Sequence, residues 1–446
     1  MLDTRTRTPR PVQTPALQNP PVGTPPVQTP PRPRQPGHGE PRHRPGLVAR
    51  IVAATPPQRD RAVDALRAIA ILGVVLGHWL VTAIVTTGNG RLAVSSPLAS
   101  MPMLAPISWV LQTLAIFFLV GGYTAAKGYR AGEASLPWLR RRMGRLLRPV
   151  PFLLLAWVPA VGALLWAGYS PGTVQSLVKL VLSPLWFLGV YGTLTALTPL
   201  VVRLWNRLGV WGAAVPIGVT AAVDLVRFGL GGPAWVGWVT VLTGWLVPFY
   251  LGVAWANGKL ESRRTAAGLM VGGAAAAAAL IVYAGYPASM VGVPGSAISN
   301  LNPPTLAAVA FGLAQVGLAL LLRRPLARLM RRPRVWAGVA LANLSAMTVF
   351  LWHQTAMMAI TVGAALSVGT LPGLHTVADR PVWILDRLAW LPVFAAALAV
   401  LWAVFRGFER PRQRSGQRSG QRSRQRPARA SENTHAGTEP PQPADS

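Results

Sequence analysis

His78 sits in the middle of the apolar run "AIAILGVVLGHWLVTAIV", and Arg67 stands eleven residues before it. On a helix at about 100° per residue, that spacing puts the two side chains within about 20° of one another and about 16 Å apart along the axis. Asp64, three residues before Arg67, falls on the same face, so one stripe carries Asp64, Arg67 and His78. An ionisable group at membrane depth faces a protein-lined cavity by default and marks a functional site. Imidazole exchanges protons near neutral pH, so the chemistry open to His78 is general-base work on a hydroxyl, or brief carriage of a transferred group. The plainer reading makes His78 a histidine bonded to a neighbouring helix, with Asp64 and Arg67 as cap and anchor.

A second set of residues is cationic. In "LRRRMGRLLRPVP", Arg142, Arg145 and Arg148 recur every three residues and form one basic ridge if the piece is helical. Guanidinium forks match phosphate oxygens, so such a ridge beside a membrane cavity could hold a polyphosphorylated donor. Ordinary anchoring at a membrane surface accounts for the same residues, and spacing does not decide between the two.

Other candidates are weaker. His353, in "LWHQ", could line an acceptor side or serve as a structural histidine beside Gln354. Trp186 and Trp352 read as packing or interfacial rings. "GYSPG" at 168–172 satisfies the Gly-x-Ser-x-Gly expression, but it follows a membrane span instead of a strand and places Pro171 after Ser170, so an outer loop turn is expected. Ala83, fifth after His78, excludes a His-x-x-x-x-Asp pair there. Neither a phosphate-cradling Gly-rich loop with its Lys nor a His-Glu-x-x-His metal helix occurs, and no metal is expected. The absence of cysteine removes thiolate nucleophiles and thiolate metal sites.

The elements that must position these residues are membrane helices. The chain has 446 residues, 51% hydrophobic and 13% charged, outside the range of an ordinary soluble domain. Ten segments are long and apolar enough to cross a bilayer: about 65–86, 106–126, 149–168, 178–202, 208–228, 234–256, 266–285, 304–322, 336–366 and 382–405. The ninth is long enough to be kinked or to include a re-entrant piece. An all-α integral membrane protein follows, a bundle of about ten transmembrane helices at 59–411 between a Pro/Arg-rich disordered tail at 1–58 and a basic, polar disordered tail at 412–446. No signal peptide is expected before the first span, since no short apolar core with a small-residue cleavage site occurs there.

Basic residues alternate between connections. Lys127, Arg130, Arg140, Arg141, Arg142, Arg145 and Arg148 follow span 2, and Arg203 and Arg207 follow span 4. Lys259, Arg263 and Arg264 follow span 6, and Arg323, Arg324, Arg328, Arg331, Arg332 and Arg334 follow span 8. The odd connections offer little beyond Arg91, Lys179, Arg227 and Arg380. By the positive-inside rule both tails are expected in the cytoplasm, with the protein multi-pass in the cytoplasmic membrane. The net charge of +30 then faces anionic lipid, and no nucleic-acid partner is needed to explain it. Of thirteen acidic residues only Asp224 lies well inside a span, which argues against a proton pump or cation-coupled transporter. A transporter or flippase for a lipid-linked or hydrophobic metabolite is the rival class, but the two halves show no convincing internal repeat.

The order of these stretches resembles the acyltransferase 3 family of integral membrane O-acyltransferases. The resemblance is carried by "DALRAIAILGVVLGH", "FFLVGGY", the Arg-x-x-Arg pattern of "RRMGRLLRP", "PLWFL" at 184–188, "LSAMTVFLWH" at 344–353 and the closing "FERP" at 408–411. It implies that His78 and Arg67 are essential to transfer. It also implies that an Arg-x-x-Arg pair, Arg142 with Arg145 or Arg145 with Arg148, serves the acyl-CoA side. Gly121 departs from the family pattern, which has Ser there, and the extracytoplasmic hydrolase-like domain fused to some members is not expected in these 446 residues. The implied reaction moves an acyl group, acetyl in the first instance, from acyl-CoA to a hydroxyl of a glycan, lipid-linked sugar or small hydrophobic metabolite.

Overall fold

The computed structural model describes residues 46–86, 92–129 and 135–409. The expectations for 1–45, Arg91, Arg130 and 410–446 lie outside the described residues. Ten helical segments are long and apolar enough to span a membrane: Arg61–Val81, Pro102–Gly128, Ser135–Trp166, Pro171–Ala196, Thr198–Gly229, Ala234–Ala256, Arg263–Tyr283, Leu306–Leu329, Ala346–Ser367 and Val382–Phe405, here spans 1 to 10. Span 6 is the most enclosed, with 61% of its most apolar stretch buried, against 11% for span 10. The inner helices bury their sides against protein, and the outer ones leave theirs for lipid.

Span 1 starts where it does because Asp60 caps it, its carboxylate accepting the N–H groups of Ala62 and Val63. Spans 2 and 6 come together through glycine: a Cβ on Gly122 would collide with the carbonyl of Phe249, and one on Gly252 with the carbonyl of Leu119. The Gly-Gly pair of "FFLVGGY" is thus a close-packing device. Gly121, the departure from the family pattern, lies under the ring of Tyr191, whose nearest carbon would be 2.5 Å from an added Cβ.

Contacts sort the connections into two ends. At the basic end Arg323 meets Asp60 and Glu261, Arg61 donates to the carbonyl of Met330, and Asn343 donates to the carbonyl of Asp64. At the opposite end Thr86 pairs with the carbonyl of His375, Met290 with Ser108, and Asp224 with Tyr286 and the N–H of Leu306. This division agrees with the alternation of basic residues along the sequence.

Four features differ from expectation. Residues 47–58, assigned to the tail, begin with a helix, Leu47–Ala53, because Thr55 accepts the indole N–H of Trp336 at 2.9 Å and Ile51 and Val52 pack on the same ring system. Span 2 is broken at Gln112 and Thr113 between helices Ala105–Leu111 and Leu114–Gly128. Span 4 begins at Pro171, seven residues early, which puts Lys179 inside a helix, while Arg203 and Arg207 fall on the helix Thr198–Leu208. The ninth apolar stretch, whose length left room for a kink, divides at Ser345 into Pro333–Leu344 and Ala346–Ser367. Finally, a small antiparallel hairpin, Ala83–Thr86 with Leu92–Ser95, follows span 1 in an otherwise helical protein.

Candidate functional site

Span 1 carries His78 to the floor of a cavity of about 320 Å³. Thr82, Gln112, Ser183, Trp186 and Phe350 line it as well. The hairpin residues Val94 and Ser95, the adjoining Ser96 and the segment around Val291–Asn302 also border it, so the cavity belongs to the end opposite the arginine clusters. Its lining is mainly apolar, with a few hydroxyl and amide groups, the usual character of a site for an organic ligand.

His78 is half-buried, and among the described residues its ring has one hydrogen-bond partner, the side-chain amide of Gln354 in span 9, whose nitrogen lies 2.8 Å from His78 Nδ1. The ring of His353 is 5.1 Å away, centre to centre. His353 is fully buried and donates from Nδ1 to the carbonyl of Phe350 at 2.6 Å, while its Nε2 has no partner. His353 therefore does not line the cavity; it packs behind His78 as a second imidazole with an unfilled acceptor. Gln354 Oε1 is also buried without a partner. His353 and Gln354, the two neighbours of the His78 ring, thus each carry a buried polar atom that needs a reason.

The break in span 2 belongs to the same place. Gln112 and Thr113 interrupt the helix where they border the cavity. The carbonyl of Gln112 is taken by the amide of Gln315, and Thr113 Oγ1 donates to the carbonyl of Ala70 at 2.8 Å. Irregular backbone at membrane depth is tolerated where it borders a cavity and its polar groups find protein partners.

Arg67 and Asp64 lie at the other end of span 1. Arg67 Nη1 is 3.4 Å from Asp64 Oδ1, and neither residue borders the His78 cavity. Asp64 is buried and held first by Arg59, whose Nε is 2.6 Å from Oδ2. The stripe runs along one helix as the spacing predicts, but its two ends sit in different surroundings.

The basic ridge is a helix, Ser135–Leu147, followed after a short turn by the apolar Val150–Trp166. Arg142 reaches back to span 2, donating to the hydroxyl and carbonyl of Thr124 at 3.2 and 3.4 Å and lying over the ring of Trp138. Arg145 donates to the carbonyl of Arg141 at 3.3 Å, and Arg148 follows the helix. Arg142 therefore ties the helix to the bundle, whereas Arg145 and Arg148 keep most of their donors.

Sequence reasoning missed Gln354 as the partner of His78, and it missed Arg387. Arg387 is 1% exposed and donates to the carbonyls of Trp79, Thr82 and Gly373 at 2.7, 2.8 and 3.0 Å. A charged residue inside a span was the available signal. The remaining motif residues are structural. Trp352 stacks on Phe405 at 3.9 Å, and Ser170 caps span 4 by accepting the N–H of Thr173 at 3.3 Å.

Fold and site together define a membrane-embedded protein with an imidazole at the floor of a mainly apolar cavity. The chain belongs to the acyltransferase 3 family: the family model, described as an acyltransferase domain, matches residues 60–406. It is therefore a membrane acyltransferase. Comparison with curated proteins and with solved structures gave no match.

Proposed function

We propose that the protein transfers an acyl group, acetyl in the first instance, from acyl-CoA to a hydroxyl of a glycan, lipid-linked sugar or small hydrophobic acceptor. The observation that carries this reading is His78, half-buried in the bundle and opening on a cavity, with Gln354 bonded to its ring. The acceptor hydroxyl attacks the thioester carbonyl, His78 takes the hydroxyl proton, and the carbon–sulfur bond breaks with the proton passing to the CoA sulfur. Direct acylation of His78 followed by transfer to the acceptor gives the same products. The CoA phosphates would lie at the basic end, which we assign to the cytoplasm. The acceptor would occupy the cavity from the opposite end, its apolar part against Trp186 and Phe350. Arg67 would orient the donor along span 1.

The test is release of free CoA from radiolabelled acetyl-CoA by purified protein in nanodiscs, with and without a host membrane extract. Extract-dependent release in the wild type, abolished in His78→Ala at normal membrane abundance, is the expected result. Retained turnover in the variant would sink the assignment of His78.

A further inference from the structure

A second, roomier cavity does not touch His78. It has a volume of about 840 Å³ and lies at the basic end, between the helices Arg263–Tyr283 and Leu306–Leu329. Five arginines border it: Arg263, Arg323, Arg324, Arg328 and Arg331. Two carboxylates, Asp60 and Glu261, border it as well, but Arg323 already occupies both at 3.2 and 3.4 Å. The other four arginines have no acidic partner among the described residues.

Anchoring to the membrane surface requires positive charge but not this arrangement. Arg324 and Arg328 sit one turn apart at the end of the helix Leu306–Leu329, where like charges four residues apart repel, and Arg331 follows in the turn just beyond it. Arg263 faces them from the neighbouring helix across a concave space. Four uncompensated guanidinium groups around one cavity form a binding surface for an anion bearing several phosphate oxygens. The cavity also reaches Asp60, the cap of the helix whose far end carries His78, so an anion held there would contact the start of the candidate catalytic helix.

We propose that this cavity is a phosphate-binding site, distinct from the Arg142–Arg148 ridge. Two sources supply that chemistry: the phosphates of CoA, which depends on the acyl-CoA reading above, and the headgroup of an anionic lipid in the same leaflet, which does not. The Arg324→Gln/Arg328→Gln double variant tests it against a charge-matched control, Arg203→Gln/Arg207→Gln, whose exposed arginines lie on another helix.

The first arm measures calorimetric binding of free CoA to protein in phosphatidylcholine nanodiscs. The second measures retention of phosphatidylglycerol by native mass spectrometry after release from mixed vesicles. We expect the cavity variant to weaken one of the two by about tenfold or more, the loss of one or two charge-assisted hydrogen bonds, with the control close to wild type. Weakened CoA binding identifies the nucleotide, and weakened lipid retention identifies the headgroup. Arg263→Gln, on the opposite wall, should act in the same direction, so a result from the double variant does not rest on one helix alone. Wild-type behaviour of the cavity variants in both arms, or equal losses in the control, overturns the proposal. Both arms read binding and not turnover, so a negative result leaves the His78 test standing, and a failed His78 test leaves this one standing.

Discussion

Gln354 Nε2 lies 2.8 Å from His78 Nδ1, joining span 9 to span 1 across the candidate site. With the amide nitrogen donating, His78 carries its proton on Nε2 and has no free base to offer the cavity. Turning the amide by 180° places Oε1, unpartnered in the present orientation, against Nδ1–H and frees Nε2 to accept a proton. Either orientation makes Gln354 the group that selects the tautomer.

Replacing Gln354 with Leu should therefore lower kcat by about tenfold to thirtyfold, the kinetic equivalent of one hydrogen bond of about 1.5–2 kcal/mol, with little change in KM for acyl-CoA. Gln354→Glu keeps an acceptor for Nδ1–H and should retain most of the activity. Steady-state kinetics on both variants decides; a Leu variant with wild-type kcat would remove Gln354 from the mechanism.

Arg387 holds the other side of the same helix turn. Its guanidinium sits between the rings of Trp383 and Phe394, and it has no carboxylate partner among the described residues. It donates instead to carbonyls at the C-terminal end of span 1, where the helix carries partial negative charge. Arg387→Met would leave three carbonyls without their donor, at a cost of about 1–3 kcal/mol for each one that stays dry. A lower unfolding temperature is expected, together with a kcat reduced more than KM, because the turn it fixes begins one residue beyond His78. Arg387→Lys should recover part of both. Unchanged melting in the Met variant would show that other groups hold this turn.

Much of this arrangement was legible in the sequence. Helical periodicity alone places Asp64, Arg67 and His78 on one stripe, and the run lengths give the number of spans. The alternating arginines divide the connections into the same two ends that the contacts do. What sequence could not supply are pairings made across the fold. Gln354 reaches His78 from 276 residues away, and Arg387 finds carbonyls more than 300 residues earlier. The break at Gln112 escaped because no Pro or Gly marks it. It is stabilised instead by the amide of Gln315, from a different span. Gly121 also acquires meaning only in three dimensions, since the bulk that a Ser would add there is taken up by Tyr191.

Ser170 offers a test that separates motif from structure. Its hydroxyl accepts the N–H of Thr173 and lies 3.1 Å from the Thr173 hydroxyl at the start of span 4. Ser170→Ala should keep wild-type turnover and lose about 1 kcal/mol of stability, the usual cost of a helix cap. A variant inactive yet fully folded would revive the Gly-x-Ser-x-Gly reading.

The broken second span makes the last prediction. Gln315 satisfies the carbonyl that the break exposes, and both residues are buried. In Gln315→Leu that carbonyl would face hydrocarbon without a partner, at a cost of about 1–3 kcal/mol. The cheapest escape is for Leu114–Gly128 to extend backward through Thr113 and regain helical hydrogen bonds, which would move Gln112 and Leu114 in the wall of the His78 cavity. The variant should therefore melt earlier and also show a raised KM for the acceptor, with KM for acyl-CoA unaffected. Thermal unfolding with two-substrate kinetics measures both. A loss of stability with an unchanged acceptor KM would show that the break supports the fold without shaping the site.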